Sequence, residues 1–535
     1  MATIPHSVLA VGWIPFTVVV LLIILFTLFY VRYFRCKRDS ETSTTVTAVL
    51  ALTVALLTVA LVPVDIFLVS YMKEQDGTFK EWANDSDTRD AIENMMLYAY
   101  YTMYALEIVF MFLVLPFMYF YYEEYDEDST TRSRICAGLK FTIVFVFVAG
   151  VLLLVGAFIP TQATPSMNET EWEKLQDLFE GLGKNRGENA LSFCISILTL
   201  IGMLLLVIYT AYGMNALPID MIFGTKSAKD EIVEVQGDYD DIQSEIAAIR
   251  HKYKHTRRSM SRKDRTKLND LQDKEKLIKR RERHLEKADK SWCTKCSILW
   301  RPFEILTGII LSLLALLILL SLLLTSIDKL LHSLGPKTGY ILPQKTLPNP
   351  LDITLVYCQA IFPLDYVLMC LIIVYFVVAT MAGIRKIGIW FFCLRMFKIR
   401  PHKTKTQGLL FMCEIMMLII LALNVMFYNT VPQYVTFGSQ KYIDLSHNDT
   451  VTVEQCNTGA PRDECVMTQM STLLTKYFYQ MWVFGACYYW ANWAFMGIFL
   501  LGLLVALCKK RRSAIDGEVD KDDDSDDSDD ELLPV

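Results

Sequence analysis

The chain has 535 residues, of which 53% are hydrophobic, and a formal net charge of -6. Its apolar residues lie in long runs, which excludes a soluble globular protein and predicts one membrane domain. The segment from Ser513 to Val535 holds eleven acids and one lysine, a local charge of -10, so the other 512 residues carry a net charge of +4.

A helix needs about 20 mainly apolar residues to cross a hydrocarbon core of roughly 30 Å, because lipid offers the backbone no hydrogen-bonding partners. Nine runs meet this requirement: Val8–Val31, Thr47–Tyr71, Met95–Tyr119, Phe141–Ile159, Ala190–Tyr212, Ile305–Ser326, Tyr366–Ile384, Leu409–Phe427 and Met481–Leu507. The first run has no basic residues before it and is too long for a signal peptide, so we expect an uncleaved anchor. Apolar character before the seventh run begins near Ile353, and Pro363 is expected to divide it into a short half-helix and a full span.

Basic residues accumulate in alternate loops, and the positive-inside rule assigns such loops to the cytosol. These regions are Arg32–Arg38, Arg132–Arg134, Leu217–Glu304, Arg385–Lys405 and Lys509–Arg512. The sequence therefore predicts an all-α polytopic membrane protein with about nine transmembrane helices, a lumenal amino terminus and a cytosolic carboxyl terminus. The predicted organisation is transmembrane helices 1–5 in residues 1–212, a charged helical cytosolic loop in 213–304, transmembrane helices 6–9 in 305–508 with a glycosylated lumenal loop in 428–480, and an acidic disordered cytosolic tail in 509–535.

Three Asn-x-Ser/Thr sequons give an independent indication of this orientation. They begin at Asn84, Asn168 and Asn448, and all three fall in loops that the charge pattern assigns to the lumen. Cys456 and Cys465 lie in the last of these loops, on the oxidising side, and are candidates for a disulfide bond.

The long cytosolic loop has a marked charge pattern. From Arg250 to Lys290 there are seventeen Lys/Arg residues against seven acids, with leucine and isoleucine at helical spacing. Together with Asp230–Ile249 this pattern predicts two amphipathic helices that form a hairpin arm. One interpretation is a solvated loop that follows the positive-inside rule; the other is an arm that binds a partner or anionic lipid.

Four acids lie within the spans: Asp65, Glu107, Asp365 and Glu414. An ionised carboxylate in lipid costs on the order of 3 kcal/mol or more, so each acid must face protein or a wet cavity, or be protonated. Asp65 and Asp365 both follow a proline by two residues, where a carboxylate can cap a resumed helix or bind a cation. The acids are therefore either helix caps and helix–helix contacts, or the lining of a transport pathway.

Signatures of enzymes are missing from the sequence: it has no phosphate-binding Gly-x4-Gly-Lys-Ser/Thr and no His-Glu-x-x-His. Cys293 and Cys296 supply only two of the four ligands that a zinc site needs. Cys36, Cys393 and Cys508 lie beside basic residues at membrane exits and are candidates for palmitoylation. We expect no catalytic residue, no metal and no nucleic-acid partner.

Short sorting-like motifs lie in the predicted cytosolic parts. The tail holds an acidic dileucine pattern with Asp529, Leu532 and Leu533, and Ser525 and Ser528 stand in an acidic context suited to phosphorylation. A disordered, solvating acidic end is the other interpretation of this tail. Tyr239 and Ile242 fit a tyrosine-x-x-bulky-apolar pattern; Trp300 and Phe303 fit a Trp-x-x-Phe pattern, and are alternatively interfacial anchors of the sixth span.

Strings along the whole chain resemble the limb-region-1-like membrane protein family. They include LVPVDIFLVSYMK (Leu61–Lys73), YFYYEE (Tyr119–Glu124), LLLVGAFIP (Leu152–Pro160), TEWEK (Thr170–Lys174), LTLIGM (Leu198–Met203), YTAYGM (Tyr209–Met214), KRRERHLE (Lys279–Glu286), FPLDY (Phe362–Tyr366), MAGIR (Met381–Arg385), IGIWFF (Ile387–Phe392), PQYV (Pro432–Val435), FGSQ (Phe437–Gln440) and NWAF (Asn492–Phe495). At Trp292–Cys296 the chain departs from the family's aromatic adaptor motif, because the closing aromatic residue is missing.

The resemblance implies a nine-span protein of the lysosomal membrane, with pools in the endoplasmic reticulum and the plasma membrane. It implies a requirement for cobalamin (vitamin B12) to leave the lysosome, with cobalamin as the transported ligand and an ABC-type cobalamin exporter as the escorted partner. It also implies a link to clathrin adaptors and to endocytosis of the insulin receptor. None of this assigns cobalamin-binding residues.

The leading hypothesis is thus a non-enzymatic escort and adaptor. Two alternatives stay open at this point: a transporter or channel in its own right, with the four intramembrane acids along its path, and a cell-surface endocytic receptor for a lipocalin-like ligand.

Overall fold

The structure is a computed structural model. It describes residues 6–36, 41–74, 76–124, 130–158, 186–224, 226–254, 261–290, 292–333, 335–336, 339–340, 342, 346–358, 361, 363–391, 394–444, 452–457, 460, 464–480, 482–508 and 513. Within these residues, nine helices are long and apolar enough to cross a membrane. The prediction of an all-α polytopic membrane protein is confirmed.

In chain order the elements are α1 (His6–Phe34), α2 (Thr42–Tyr71), α3 (Ser86–Val109), α4 (Leu115–Glu123), α5 (Thr131–Phe158), α6 (Arg186–Phe223), α7 (Ala228–Lys254), α8 (Arg262–Lys290), α9 (Trp292–His332), α10 (Pro350–Cys358), α11 (Leu364–Ile387), β1 (Ile389–Phe391), β2 (Leu394–Phe397), α12 (Thr406–Thr430), α13 (Pro432–Phe437), β3 (Lys441–Asp444), β4 (Thr452–Gln455), α14 (Gln469–Gln480) and α15 (Trp482–Cys508). A short 3-10 turn covers Glu81–Ala83. The strands form two separate antiparallel hairpins, β1 with β2 and β3 with β4.

Two spans differ in detail from the sequence-based boundaries. The third span is not one regular helix, because a π-helical turn at Phe110–Val114 joins α3 to α4. Pro116 stands at the start of α4; its missing N–H and its ring disturb the regular ladder of the preceding turn, which explains the wider turn. The fifth span continues to Phe223, beyond the predicted end at Tyr212, with Pro218 inside the helix.

The seventh span is interrupted as predicted. The short helix α10 ends at Cys358, Pro363 precedes the next helix, and α11 begins at Leu364. Proline lacks the N–H that a continuous helix would use at this position, so the chain resumes in a separate helix.

The described residues fall into two compact units: Met1–Ala216 with Leu313–Leu503, and Leu217–Ser312 with the segment from Leu504 onward. In the first unit α12 is the central helix, since 83% of its most apolar stretch is buried against 11% for α1. It packs against α2 and α4.

Helices α6 and α11 cross within the first unit at very close range. A Cβ atom at Gly213 would lie 1.9 Å from the carbonyl oxygen of Ala379, and one at Gly383 would lie 2.0 Å from that of Tyr209. Between the two glycines the hydroxyls of Thr210 and Thr380 are hydrogen-bonded at 2.8 Å. Only glycine permits this backbone approach, which is a common way for helices to pack in membranes.

In the second unit α7 and α8 form an antiparallel hairpin, which we call the arm. Val235 and Leu285 are buried in its seam. Polar bonds connect the two helices along their length, including Gln243 Nε2 to Glu275 Oε1 at 2.7 Å and Arg281 to Glu231 at 2.6 Å. The two helices expected from the charge pattern are therefore present.

Candidate functional site

The polar segment between α12 and α15 has secondary structure of its own in the described residues. We call residues 431–480 the cap segment; its described parts are α13, the β3–β4 hairpin and α14, with a disulfide bond between Cys456 and Cys465. The side chain of Gln440 joins the two ends of the disulfide-containing loop. Its Nε2 donates to the carbonyl oxygen of Val466 at 2.7 Å, and its Oε1 accepts from the Val466 N–H at 3.1 Å.

Asp352 of α10 holds the first turn of α13. Its Oδ1 accepts the backbone N–H of Tyr434 at 3.1 Å, and its Oδ2 accepts that of Gln433 at 3.4 Å. A helix leaves its first N–H groups without intrahelical partners, and a carboxylate at that end also complements the helix dipole. Asp352 is only 2% exposed, so this cap is supplied from another helix and shielded from water.

A second bond fixes Tyr434 from the opposite end. Its hydroxyl donates to Asp365 Oδ2 of α11 at 3.0 Å, and the whole side chain is buried. Burial, reinforced by the nearby Asp365 carboxylate, raises the pKa of Tyr434. The phenol therefore stays neutral and acts as a donor.

Asp65 of α2 holds the other helix of the cap segment. Its Oδ2 accepts the backbone N–H of Met470, at the start of α14, at 2.9 Å. The carboxyl group is 1% exposed. Asp65 thus repeats for α14 what Asp352 does for α13.

Asn349 positions Asp352 in turn. Its Oδ1 accepts the N–H groups of Leu351 and Asp352 at 3.0 and 3.3 Å and so caps α10. Its Nδ2 donates to the Thr430 carbonyl oxygen at 2.8 Å, at the end of α12. Sequence reasoning missed both Asn349 and Asp352. The one available signal was the Asn-Pro start of α10, which is typical of a helix amino terminus.

Lys73, just beyond α2, ties the loop before α14 to the bundle. Its Nζ lies 3.2 Å from Glu464 Oε2 and donates to the Gly77 carbonyl oxygen at 3.0 Å. Burial lowers the pKa of Lys73, while the bond to Glu464 opposes that shift.

The four predicted intramembrane acids lie on four different helices. Asp65 and Asp365 both serve the cap segment, whereas Glu107 lies in α3 and Glu414 in α12. Glu107 is fully buried, and neither carboxyl oxygen accepts a hydrogen bond in the structure. Its polar neighbour is Thr58, whose single hydroxyl proton goes to the Val54 carbonyl oxygen at 3.1 Å.

The predicted modification residues are partly visible. Asn84 is exposed at the end of the 3-10 turn, which is compatible with glycosylation, while Asn168 and Asn448 lie outside the described residues. Asp529, Leu532, Leu533, Ser525 and Ser528 of the tail also lie outside them.

The two predicted cytosolic sorting pairs differ in accessibility. Tyr239 and Ile242 are half-buried in the arm, and the Tyr239 hydroxyl lies 3.5 Å from Glu275 Oε1 of the facing helix, so the packing of the hairpin covers part of this motif. Trp300 and Phe303 are exposed near the start of the apolar part of α9, with ring centroids 6.0 Å apart, as interfacial anchors would be.

Asp65, Asp352 and Asp365 attach the cap segment to neighbouring helices. Their carboxylates accept hydrogen bonds from backbone N–H groups and from the Tyr434 phenol, which fixes the helices to one another. In the described part of the chain, no three His, Cys, Asp or Glu side chains are grouped so that they could hold a metal ion. Together the nine apolar helices of the described residues and these buried hydrogen bonds define a polytopic α-helical membrane protein with a polar segment fixed to its helices.

The chain belongs to the LMBR1-like membrane protein family, whose model matches residues 12–297. It is 46% identical to the lysosomal cobalamin transport escort protein LMBD1 of Danio rerio over 544 residues, covering 100% of this chain and 99% of that protein. It is 48% identical to a probable lysosomal cobalamin transporter of Nematostella vectensis (98% of each chain), and 46% identical to LMBD1 of Homo sapiens (90% of this chain, 89% of that protein). No solved structure matches the chain.

Proposed function

We propose that this chain is a lysosomal membrane escort protein needed for the export of cobalamin from the lysosome to the cytosol. The observation that carries the proposal is the end-to-end similarity to proteins named for this role, 46% identity over 100% of this chain and 99% of the relative. The relatives bear names of escort or transport proteins, and an enzymatic role has no support among them.

The escorted partner is an ABC-type cobalamin exporter, which the chain accompanies to the lysosome and holds there. The exporter's transmembrane helices pair with those of this chain, and the cap segment and the arm complete the contact. Pools in the endoplasmic reticulum and the plasma membrane accompany this traffic, and a clathrin-adaptor contact in insulin receptor endocytosis is a further role of the same cytosolic regions.

The amino terminus faces the lumen and the carboxyl terminus the cytosol. The alternating basic loops support this orientation. An exposed Asn84 sequon and the Cys456–Cys465 disulfide support it too, because both belong on the oxidising side of the membrane.

The hydrogen bonds between the buried aspartates and the cap segment favour an escort over a transporter. A transport pathway needs carboxylates that meet solvent or cargo in some state, whereas Asp65, Asp352 and Asp365 accept hydrogen bonds from this chain's own backbone and phenol groups. These acids therefore serve to keep one arrangement of helices in place.

The test uses cells that lack the protein, complemented with this chain, with the lysosomal location of the exporter and the export of labelled cobalamin as readouts. Asp65→Asn keeps an oxygen that can accept the Met470 N–H, so an escort retains both readouts. Asp65→Ala removes the acceptor and lowers both together. Normal exporter location in the cells without this chain contradicts the proposal.

Transport by the chain itself is the second candidate, and the buried Glu107 is the observation that favours it. Acids within membrane helices often mark proton and ion pathways, and neither carboxyl oxygen of Glu107 accepts a hydrogen bond from the described residues. Purified chain alone in liposomes decides between the two: cobalamin or ion flux that is lost in Glu107→Gln supports transport, and the escort proposal predicts no flux for either protein.

A further inference from the structure

One face of α8 carries basic residues at intervals of three and four positions. Arg262, Arg265, Lys276, Lys279 and Arg283 are all exposed, and Asn269 and Gln272 fill the two intermediate places. Residues at such spacing lie on one side of a helix. We call these five side chains the basic ladder; no acid occupies a position on it.

The other side of α8 is committed to the arm's own packing. Leu271 and Leu285 are buried there, against α7. The ladder's own ion pairs are with acids of α8: Lys276 with Asp273 at 3.4 Å, and Lys279 with Glu275 at 2.9 Å. Lys279 also contacts α7, since its Nζ lies 5.3 Å from the centroid of the Tyr239 ring. Solvent-exposed ion pairs between neighbouring turns of a helix contribute only about 0.5 kcal/mol to stability. The basic side chains can therefore exchange these partners for a more strongly charged anionic one.

The carboxyl-terminal tail begins beside this helix. The hydroxyl of Ser513 donates to Glu231 Oε1, and the same oxygen lies 2.6 Å from the Arg281 guanidinium of α8. The 22 residues after Ser513, which lie outside the described residues, carry eleven acids and one lysine, a charge of -10. A strongly anionic segment is thus tethered one side chain away from a helix that bears a cationic face.

The tail is long enough to cover the ladder. Fully extended, 22 residues reach about 70 Å, at roughly 3.3 Å per residue. The 29 residues of α8 span about 44 Å, at 1.5 Å per residue. The tether also gives the tail a local concentration that a free peptide lacks.

We propose that the acidic tail of this chain docks along the basic ladder of α8. Charge complementarity supplies the attraction, and the Ser513 contact supplies the proximity. Docking holds Leu532 and Leu533 close to the arm, so their availability to an adaptor depends on release of the tail. Phosphorylation of Ser525 or Ser528 adds about 1.5 to 2 negative charges each and strengthens the docked state.

The experiment measures disulfide cross-linking within the full-length chain in nanodiscs of neutral phosphatidylcholine. Ser525→Cys is combined with Lys276→Cys on the ladder, or with Lys274→Cys as the matched control. Lys274 is also exposed but lies two residues away, about 200° around the helix. Ser525→Cys alone gives the background from native cysteines, and mass spectrometry of the linked peptides identifies the products.

Docking predicts a several-fold higher yield for the Lys276 pair than for the Lys274 pair. The excess disappears in about 1 M salt, where the screening length is only about 3 Å, and in the double charge reversal Arg265→Glu/Arg283→Glu. Equal yields for the two pairs, or an excess that resists salt, overturns the proposal.

The competing occupant of the ladder is an anionic membrane surface. A polarity-sensitive dye on Lys276→Cys reports it, in nanodiscs with and without phosphatidylserine. A blue shift that requires phosphatidylserine, together with equal cross-linking of the two pairs in neutral nanodiscs, assigns the ladder to the membrane and overturns docking of the tail. None of these readouts uses cobalamin or the exporter, so the result is independent of the proposed escort function.

Discussion

The cap segment of the first unit and the arm of the second are both polar, yet they are held by opposite kinds of contact. Backbone N–H groups of the cap segment donate to buried carboxylates of other helices, Asp65 and Asp352, which are 1–2% exposed. In the arm, exposed pairs such as Lys267 with Glu245 join two neighbouring helices at 3.1 Å, with more than half of each side chain in water. Similar charges therefore contribute differently to stability according to whether water can replace the partner.

Removal of the Asp352 carboxylate is expected to have the largest effect. In Asp352→Ala the N–H groups of Gln433 and Tyr434 lose their acceptors in a buried site, which costs about 3 kcal/mol of unfolding free energy. Thermal unfolding of the purified protein and hydrogen exchange over residues 431–437 measure the loss. Asp273→Ala, which removes a 70% exposed acid from the arm, is the control. If the two substitutions destabilise equally, burial does not account for the difference between the regions.

Gly438→Ala tests how tightly the cap segment meets α2. Gly438 has φ +59°, and a Cβ there would lie 2.0 Å from Ser70 Oγ. We expect a loss of about 2 kcal/mol or more from the left-handed conformation and the clash together. Gly335→Ala is the control, since it shares a positive φ of +93° but has no atom within 4 Å of the added carbon. An equal loss in both variants would mean that the contact with Ser70 yields without cost.

Tyr434→Phe removes the hydroxyl that Asp365 accepts and is expected to cost about 1 to 2 kcal/mol. The measurement is a double-mutant cycle with Asp365→Ala, which removes the acceptor, in thermal or denaturant unfolding. Because the two groups bond directly, the double variant should lose less than the sum of the single losses. Additive losses would show that the phenol and the carboxyl group act independently.

Lys267→Ala in the arm is expected to change unfolding free energy by less than about 0.5 kcal/mol, because its pair with Glu245 is exposed and screened. Hydrogen exchange over α7 and α8 is the measurement, with Leu285→Ala as the control that empties the buried seam and should open the hairpin. If Lys267→Ala reduces the protection of the arm as much as Leu285→Ala does, the exposed pair is as important as the buried seam and the prediction is wrong.

The smallest expected effect is the response of the arm to acid. Hydrogen bonds from the Tyr253 hydroxyl and from Lys252 lower the pKa of Asp264 below its ordinary 3.8. A carboxylate with a lowered pKa contributes stability above that ordinary value and loses it as pH falls through the lower folded-state value. Opening of the arm, measured as hydrogen exchange relative to the intrinsic amide rate at each pH, should therefore be unchanged from pH 7 to about pH 5 and rise only below about pH 4. Asp264→Asn should remove that rise; a transition near pH 6 in the parent protein would contradict this assignment.

The sequence was sufficient for the features that depend on local patterns. Apolar runs of about 20 residues gave the spans, Pro363 gave the interruption of the seventh, and the charge pattern gave the two helices of the arm. The anchors of the cap segment were beyond sequence reasoning, because Asp352 meets an N–H 82 positions away and Asp65 one 405 positions away. The proline context indicated that Asp65 and Asp365 could cap helices, but nothing local indicates which helix a carboxylate will meet.

The crossing of α6 and α11 at Gly213 and Gly383 has a consequence for motion. With two points of backbone contact and a hydroxyl bond between them, neither helix can slide or roll against the other without collision. The two helices therefore move as one rigid body, so any relative motion of helices in the bundle must take place between other helices. A partner that packs against either helix therefore contacts a rigid pair rather than one movable helix.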